Sequence, residues 1–570
     1  MLMDVALKYK QAKQNSFRNK LVLVVLCFGS FSQTSYAESE GINAATLQQQ
    51  QRQEINQRLQ EQQVSGEPIV SPIQIPEMRT ERLESKQKLI ELKAIQINES
   101  ALLNNTEITE LASALIGKNI SLFDLQTLLD QINAIYANLG HATARAILPA
   151  QTIENGLVRV QLVEAKLGDL NISGNQALKS EFVQQRIPTS SGEVISVPEL
   201  EAALVRFNRI YDNQLGAGIA AGKEFGTTDI DIQVSEPKRF QFSFFLDNAG
   251  RYTVGDIRGG LVASLYNPFG NSDKLTFITT QNEGAENYSL YYTAPLNRHD
   301  LMLDLIASKG KVNVVDGPFE TLDITGDSSD FSIGLSYPLR ATIQDYWSLY
   351  GNAASRNSKS YFSGFEQDDA TTRLLTLGIS TERQTDSGAW VIDNSLVGGR
   401  AKSTGIDENS FFYYRGSASR FDRFESGVNS FLKAGLQLSS DKYLASSELY
   451  QVGGSYTVRG YSEGLLSGHS GYFVSAEVRR HLAGQASASF DVRKPYLQGL
   501  VFVDNGAVVE RGFSEVKSDS MLTSAGLGFM LSFGPSVNMQ LVLAQGLRTN
   551  LRELDEKRPR VHASLNFGPF

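Results

Sequence analysis

Val458-Arg459-Gly460-Tyr461 closes the run Gly453-Gly454-Ser455-Tyr456-Thr457-Val458-Arg459-Gly460-Tyr461, and Phe502-Val503-Asp504-Asn505-Gly506 follows some forty residues later. The first is an arginine set among glycines and aromatics, a loop composition. The second alternates: Phe502, Asp504 and Gly506 share one face of a strand, and Val501 and Val503 share the other. Such a strand shows an apolar face to lipid and holds a carboxylate on the opposite side. A guanidinium fork matches a carboxylate bidentately. Arg459 is therefore expected to fold back onto Asp504, the alternative being that it points into water at the tip of its loop.

Both stretches lie in a region, 238–570, that alternates with period two. Phe240, Phe242, Phe244 and Leu246 interleave with Gln241, Ser243 and Asp247. Phe331, Ile333, Leu335, Tyr337 and Leu339 interleave with Ser332, Gly334 and Ser336. Roughly 16 such segments can be counted, each near the 9–11 residues that a tilted strand needs to cross a bilayer. Joins at 267–273, 340–345 and 533–537 read as tight turns, and those at 310–329, 355–371 and 400–427 as long polar loops. Short turns on one side and long loops on the other predict an antiparallel membrane β-barrel of about 16 strands. In this count Arg459 sits in the sixth long loop, between the eleventh and twelfth strands, and Asp504 on the thirteenth.

Upstream, residues 87–236 hold an internal repeat with an offset of 75. Ser121-Leu122-Phe123-Asp124 opens one helix and Ser196-Val197-Pro198-Glu199 another, each with the spacing of a capping box. Leu125, Leu128, Leu129, Ile132, Ile135 and Tyr136 face inward on the first; Leu200, Ala203, Leu204, Phe207, Ile210 and Tyr211 do so on the second. Ile95 and Ile97 map onto Leu170 and Ile172 as an alternating strand, and each copy ends in another strand, at 157–164 and 229–236. Two α+β units are predicted, 87–165 and 166–237.

Residues 41–63 are glutamine-rich, with too few apolar positions for a core-facing stripe. A helix polar all round needs a wet neighbour, or is a disordered or coiled-coil tail. At 1.5 Å per residue about 20 residues span roughly 30 Å, the thickness of a bilayer core. Pro68, Pro72 and Pro76 mark 64–86 as a linker. Residues 1–37 read as a secretory leader: Lys8, Lys10, Lys13, Arg18 and Lys20, then an apolar core to Phe31, then Ser35-Tyr36-Ala37 with cleavage before Glu38. Cys27, the only cysteine, lies in that leader, which leaves no disulfide or thiol metal site after it. Losing five basic residues and one acidic residue with the leader takes the net charge from -9 to -13, which argues against a nucleic-acid partner. His141, His299, His469, His481 and His562 show no metal-ligand spacing, and no G-x-S-x-G or phosphate-binding loop is present, so no enzyme, cofactor or metal is expected.

Leader, polar helix, proline linker, paired α+β units and a barrel carrying VRGY and FxDxG together resemble the two-partner secretion transporters (TpsB type) of the BamA-like superfamily, which export haemolysins and filamentous adhesins. The resemblance implies an outer-membrane pore with periplasmic POTRA domains that hold a large unfolded exoprotein. It implies that the helix at 38–63 plugs the pore and that the barrel assembly machinery inserts the barrel in outer-membrane lipid. It makes Arg459, within Val458-Arg459-Gly460-Tyr461, the inward tip of the sixth loop, and Asp504, with Phe502 and Gly506, its partner on the wall. Pro569 departs from the family's usual ending by breaking the alternation of Val561, Ala563, Leu565 and Phe567 before Phe570. The alternative function is an assembly and insertion factor of the same superfamily, which usually carries three or more POTRA units where only two fit here. A general porin would need neither the units nor VRGY.

Overall fold

The computed structural model describes residues 44–65, 72–74, 89–141, 143–188, 192–317, 319–441, 443–484, 494–511, 517–549 and 559–569. The leader, its Ala37–Glu38 junction, Pro68, Pro76 and Phe570 lie outside them. Among the described residues, sixteen strands close an antiparallel barrel, from Phe240–Asp247 to Arg560–Phe567. The seam pairs Phe244 with Phe567 through Asp247 with Ser564. The last strand ends at Phe567, so Gly568 and Pro569 stand beyond the paired alternation. Phe240, Phe242, Phe244 and Leu246 are exposed on the outer wall, as are Phe331, Ile333, Leu335, Tyr337 and Leu339, while Asp247, Ser332 and Asp504 are buried on the inner one.

The loop assignments need correction. The eighth strand, Phe365–Thr385, runs 21 residues, and the sixth and seventh, Ile324–Ala341 and Asp345–Phe362, run 18 each. The segment 355–371 is therefore a continuous hairpin turning at Ser363-Gly364, and 400–427 contains the whole tenth strand, Ile406–Arg423. The ladder continues past the lipid belt because backbone pairing does not require an apolar outer face. Outside the membrane both faces can be polar, so polarity alone did not mark loops.

Two units precede the barrel. In the first, helices Asn105–Ser113 and Leu122–Asn138 pack on a sheet ordered Ala94–Ile97, Leu157–Val163, Arg145–Ile147. In the second, helix Val197–Ile210 packs on Gln214–Ala221, Thr227–Ser235 and Lys166–Ser173. The buried stripes are Leu125, Leu128, Ile132 and Tyr136 in one, and Leu200, Leu204, Phe207 and Tyr211 in the other. Asn133 Oδ1 accepts from the Ala146 N–H at 2.7 Å, and its counterpart Asn208 accepts from the Leu215 N–H at 2.7 Å. The capping box is real at Ser121, whose hydroxyl accepts from the Asp124 N–H. Ser196 makes no side-chain cap bond. There Pro198 at the second helical position removes one of the two N–H groups a serine cap can meet, and the other, that of Glu199, is left unused by Ser196.

The second unit is bolted to the periplasmic turns of the barrel. Asp300 accepts from Arg186 Nε at 2.9 Å, from Arg206 Nε at 2.7 Å and from the Tyr211 hydroxyl at 2.8 Å. Arg209 donates to Glu382 Oε1 at 2.6 Å and to the carbonyls of Thr342 and Ile343. Asn213 and Asn267 exchange amide hydrogen bonds at 3.1 Å. The helix opening the described chain reaches Ser65, and past it Ile73–Gln74 adds a parallel edge strand to the second unit's sheet, where the sequence suggested only a semi-extended linker.

Candidate functional site

The sixth loop leaves the eleventh strand, Val428–Ser439, and rejoins the wall at the twelfth, Ser470–Gly484. Between them it turns into the lumen as a short ribbon, Tyr450–Val452 against Leu466–Gly468, with Val458-Arg459-Gly460-Tyr461 in its tip. Val458 and Tyr461 are buried with Val452, Leu466, Phe473, Val508 and Leu522, an apolar patch on the inner wall that fixes the tip. Gly460 has φ +88°, and a Cβ there would crowd the backbone of Ala544 and Gly546. A Cβ on Gly506 would come within 2.7 Å of Val452 and 3.0 Å of Val458. Glycine at 460 lets the loop backbone approach the wall backbone, and glycine at 506 leaves room for the loop's valine side chains.

Arg459 points to the wall. Its Nε is 2.8 Å from Asp504 Oδ2 and its Nη2 2.9 Å from Oδ1, a bidentate pair, and its backbone N–H donates to the same carboxylate at 3.1 Å. Nη1 reaches Glu477 Oε2 at 2.6 Å, and Nη2 also donates to Ser475 Oγ at 3.1 Å. The guanidinium lies 3.4 Å over the Phe502 ring. Asp504 is fully buried and Arg459 only 8% exposed. Of the residues singled out in the sequence, Val458, Arg459, Gly460, Tyr461, Phe502, Asp504 and Gly506 thus come together; Ala37 and Glu38 lie outside the described residues.

Sequence reasoning missed Glu477, Ser475 and His562, whose Nε2 accepts from the Gly460 N–H at 3.1 Å. Ser475 and Glu477 share a face of the twelfth strand, and Ser475 sits directly opposite Asp504. An acid on the inward parity of the neighbouring strand was the available signal.

The helix Ala44–Ser65 occupies the lumen beside this loop. Ion pairs and hydrogen bonds hold it, including those of Gln48 to Ser308, Arg251 to Gln50 and Arg52 to the Ser447 carbonyl. Arg52 Nη1 meets Asp330 Oδ2 at 2.8 Å, Glu54 Oε2 meets Arg258 Nη1 at 2.7 Å, and Arg258 in turn bonds Asp247 at 2.6 Å. The Thr46 carbonyl accepts from Gln451 of the sixth loop at 2.8 Å. Glu448, also in that loop, pairs with Arg356 of the seventh strand, and Arg356 lies 3.3 Å from Asp330. Helix, loop and wall therefore share one polar network. Gln48, Gln49, Gln50 and Glu54 are buried there, which explains a glutamine-rich helix with no apolar stripe: its surroundings are mostly polar, apart from the first turn, where Ala44 and Leu47 pack with Val254 and Val312.

Residues 226–531 match the family described as haemolysin secretion/activation protein ShlB/FhaC/HecB, and residues 90–165 match the ShlB-type POTRA domain. The chain is 26% identical over 498 residues to the heme/hemopexin transporter protein HuxB of Haemophilus influenzae, covering 82% of this chain and 85% of that one. It is 22% identical over 475 residues to the outer membrane transporter CdiB of Dickeya dadantii, covering 80% and 84%. Among solved structures, CdiB from Escherichia coli superposes with a TM-score of 0.66 at 18% identity, over 93% of this chain and all of that one. The chain belongs to the ShlB/FhaC/HecB haemolysin secretion/activation family, the outer-membrane β-barrel transporters of two-partner secretion, which export partner exoproteins.

Proposed function

We propose that the chain exports a single large polypeptide of haemolysin or adhesin type, received unfolded by its periplasmic units and threaded through the barrel without chemical catalysis or a cofactor. The parts are a leader at 1–37, a plug segment from 38 whose helix reaches Ser65, a linker to 86, POTRA units at 87–165 and 166–237, and a barrel from 238. The barrel assembly machinery places that barrel in outer-membrane lipid during biogenesis. The observation that carries the reading is the occupied lumen. A polar helix and a folded-in loop fill it, and the helix is held chiefly by discrete ion pairs and hydrogen bonds, with one small apolar cluster at its first turn, where Ala44 meets Val254 and Val312. Such contacts can be exchanged for those of a passing chain or for water. Arg459 has a different role: its buried tie to Asp504 keeps the sixth loop anchored while the helix leaves. Folding of the cargo outside makes the transfer directional.

Deleting the gene should remove one large polypeptide from the medium, and Arg459→Ala should do the same while the barrel still inserts and stays heat-modifiable. Breaking one partner of a buried ion pair costs about 3–5 kcal/mol because the other charge stays buried. Secretion at the wild-type level from Arg459→Ala would show that the loop needs no anchor. Deleting residues 41–63 should raise single-channel conductance in planar bilayers; an unchanged conductance would refute the plug.

A further inference from the structure

The second unit's sheet has one edge in use by the chain itself. Ile73 pairs with Ala217 and Gln74 with Gly218, in parallel, and the Ala217 N–H donates to the Pro72 carbonyl at 2.9 Å. Ile73 packs against the unit's core beside buried Ala217. On its other side the strand Gln214–Ala221 is fully laddered to Thr227–Ser235. On the open side, only Ala217 and Gly218 are paired among the described residues. Gly216 and Gly218 leave that strand's outer face bare: a Cβ at either would meet nothing nearer than 3.6 Å. Glycine inside a strand often marks the close approach of another backbone. Proline at 72 and, in sequence, at 76 brackets the paired residues, and a proline has no N–H to extend the ladder. The added strand is thus short, parallel and bounded, which suits it to exchange.

The same segment is covalently close to the plug. Six residues, 66–71, join Ser65 to Pro72. Fully extended they span about 20 Å, whereas a helix of 22 residues is about 33 Å long. A strand pinned at 73–74 therefore restrains withdrawal of the helix. Releasing it lengthens the tether to the first unit, whose first short strand is Ile90–Glu91.

We infer that the open edge of Gln214–Ala221 is a docking site for an extended segment of the exported polypeptide carrying an apolar residue in the place of Ile73, and that the chain's own Pro72-Ile73-Gln74 holds this edge at rest, so that strand exchange there unpins the plug helix. The inference rests on the export reading. Arriving cargo supplies main-chain hydrogen bonds without strict sequence, and the strand it displaces is the one that tethers the plug. Docking and opening are then one event.

A disulfide tests it. Facing residues on neighbouring strands lie about 5 Å apart, within reach of a disulfide, and Cys27, in the leader, is the only native cysteine. The variant Ile73→Cys with Ala217→Cys, oxidised, should secrete at least tenfold less of the polypeptide that gene deletion removes from the medium, and reduction should restore it. In liposomes the full-length oxidised protein should bind an N-terminal fragment of that polypeptide at least tenfold more weakly than the reduced protein. A separate variant, Ile73→Asp, should raise the open-channel fraction in planar bilayers severalfold without cargo. Wild-type secretion from the oxidised form, equal fragment binding in both redox states, or unchanged gating in Ile73→Asp would each overturn the inference. If gene deletion leaves the medium unchanged, the export reading itself fails, a result distinct from all of these.

Discussion

Tyr136 and Tyr211 stand 75 residues apart at the same place in the two repeats, and their hydroxyls part company. Tyr136 donates to Glu164 of its own unit at 2.9 Å; Tyr211 donates to Asp300 of the barrel at 2.8 Å. Burial pushes both hydroxyls above their ordinary range, so both remain donors. The carboxylate that ends each copy is used alike. Glu164 accepts from the N–H groups of Ala101 and Leu102, and Glu236 from those of Gln176, Ala177 and Leu178. One architecture therefore serves two mechanical tasks. In the first unit the tyrosine closes the unit on itself. In the second, Tyr211, Arg186 and Arg206 turn the same surface outward to grip Asp300.

Breaking that grip should have the largest effect. Asp300→Ala leaves Arg186 buried without its carboxylate, and removing one partner of a buried pair costs about 3–5 kcal/mol; the Arg206 arm is about a third exposed and adds less. Distances between spin labels on the second unit and on the barrel should broaden, making the second unit resemble the first; an unchanged distribution would mean that the joint is held elsewhere. Next come the cores. Leu128→Ala and Leu204→Ala should each cost about 2–5 kcal/mol. Hydrogen exchange should show loosening confined to the substituted unit, and spread between the units would contradict their separate cores. Smaller effects are expected at the tyrosines. A hydrogen bond to a charged group is worth about 1.5–3 kcal/mol, so Tyr136→Phe should loosen the first unit by that order. Tyr211→Phe should cost less, because Asp300 keeps two arginines; equal losses would erase the distinction between the units.

The smallest expected effect is a pH dependence. Burial opposes ionisation of Glu164, but hydrogen bonds from Ser100, Ala101, Tyr136 and Leu102 outweigh it and hold the carboxyl below its usual range. A carboxyl depressed in the folded state stabilises above its unfolded pKa, about 4.3, and this stability is lost as pH falls through the depressed folded value. Exchange in the first unit should therefore accelerate in acid below about pH 4, and Glu164→Gln should flatten that response. An identical acid profile in the variant would remove Glu164 from the account.

Much of this was legible in the residues. Period-two alternation assigned Phe502, Asp504 and Gly506 to the inner wall, and VRGY supplied a cation with no local partner. The helices of both repeats were visible because each buries a stripe with a turn's periodicity. The misreadings were also physical. Ser196 has the spacing of a capping box but makes no side-chain cap bond, since spacing alone does not fix the serine's side-chain orientation. The polar stretch 400–427 was read as loop although it contains a strand of 18 residues, because outside the bilayer a ladder needs no apolar face.

The sequence by itself determined which strand residues face inward, where the period-two region begins, and that Arg459 and Asp504 required partners. Only the tertiary structure decided that Glu477 joins them, that Arg52 reaches Asp330 across 278 positions, and that Ile73 lies on the edge of a unit more than 90 residues downstream of the linker's start. Alternation gives the face of a residue but not its height in the barrel. Height is set by the register around the closed wall, which pairs Ser475 with Asp504 and so brings Glu477, two residues along the same face, within reach of Arg459.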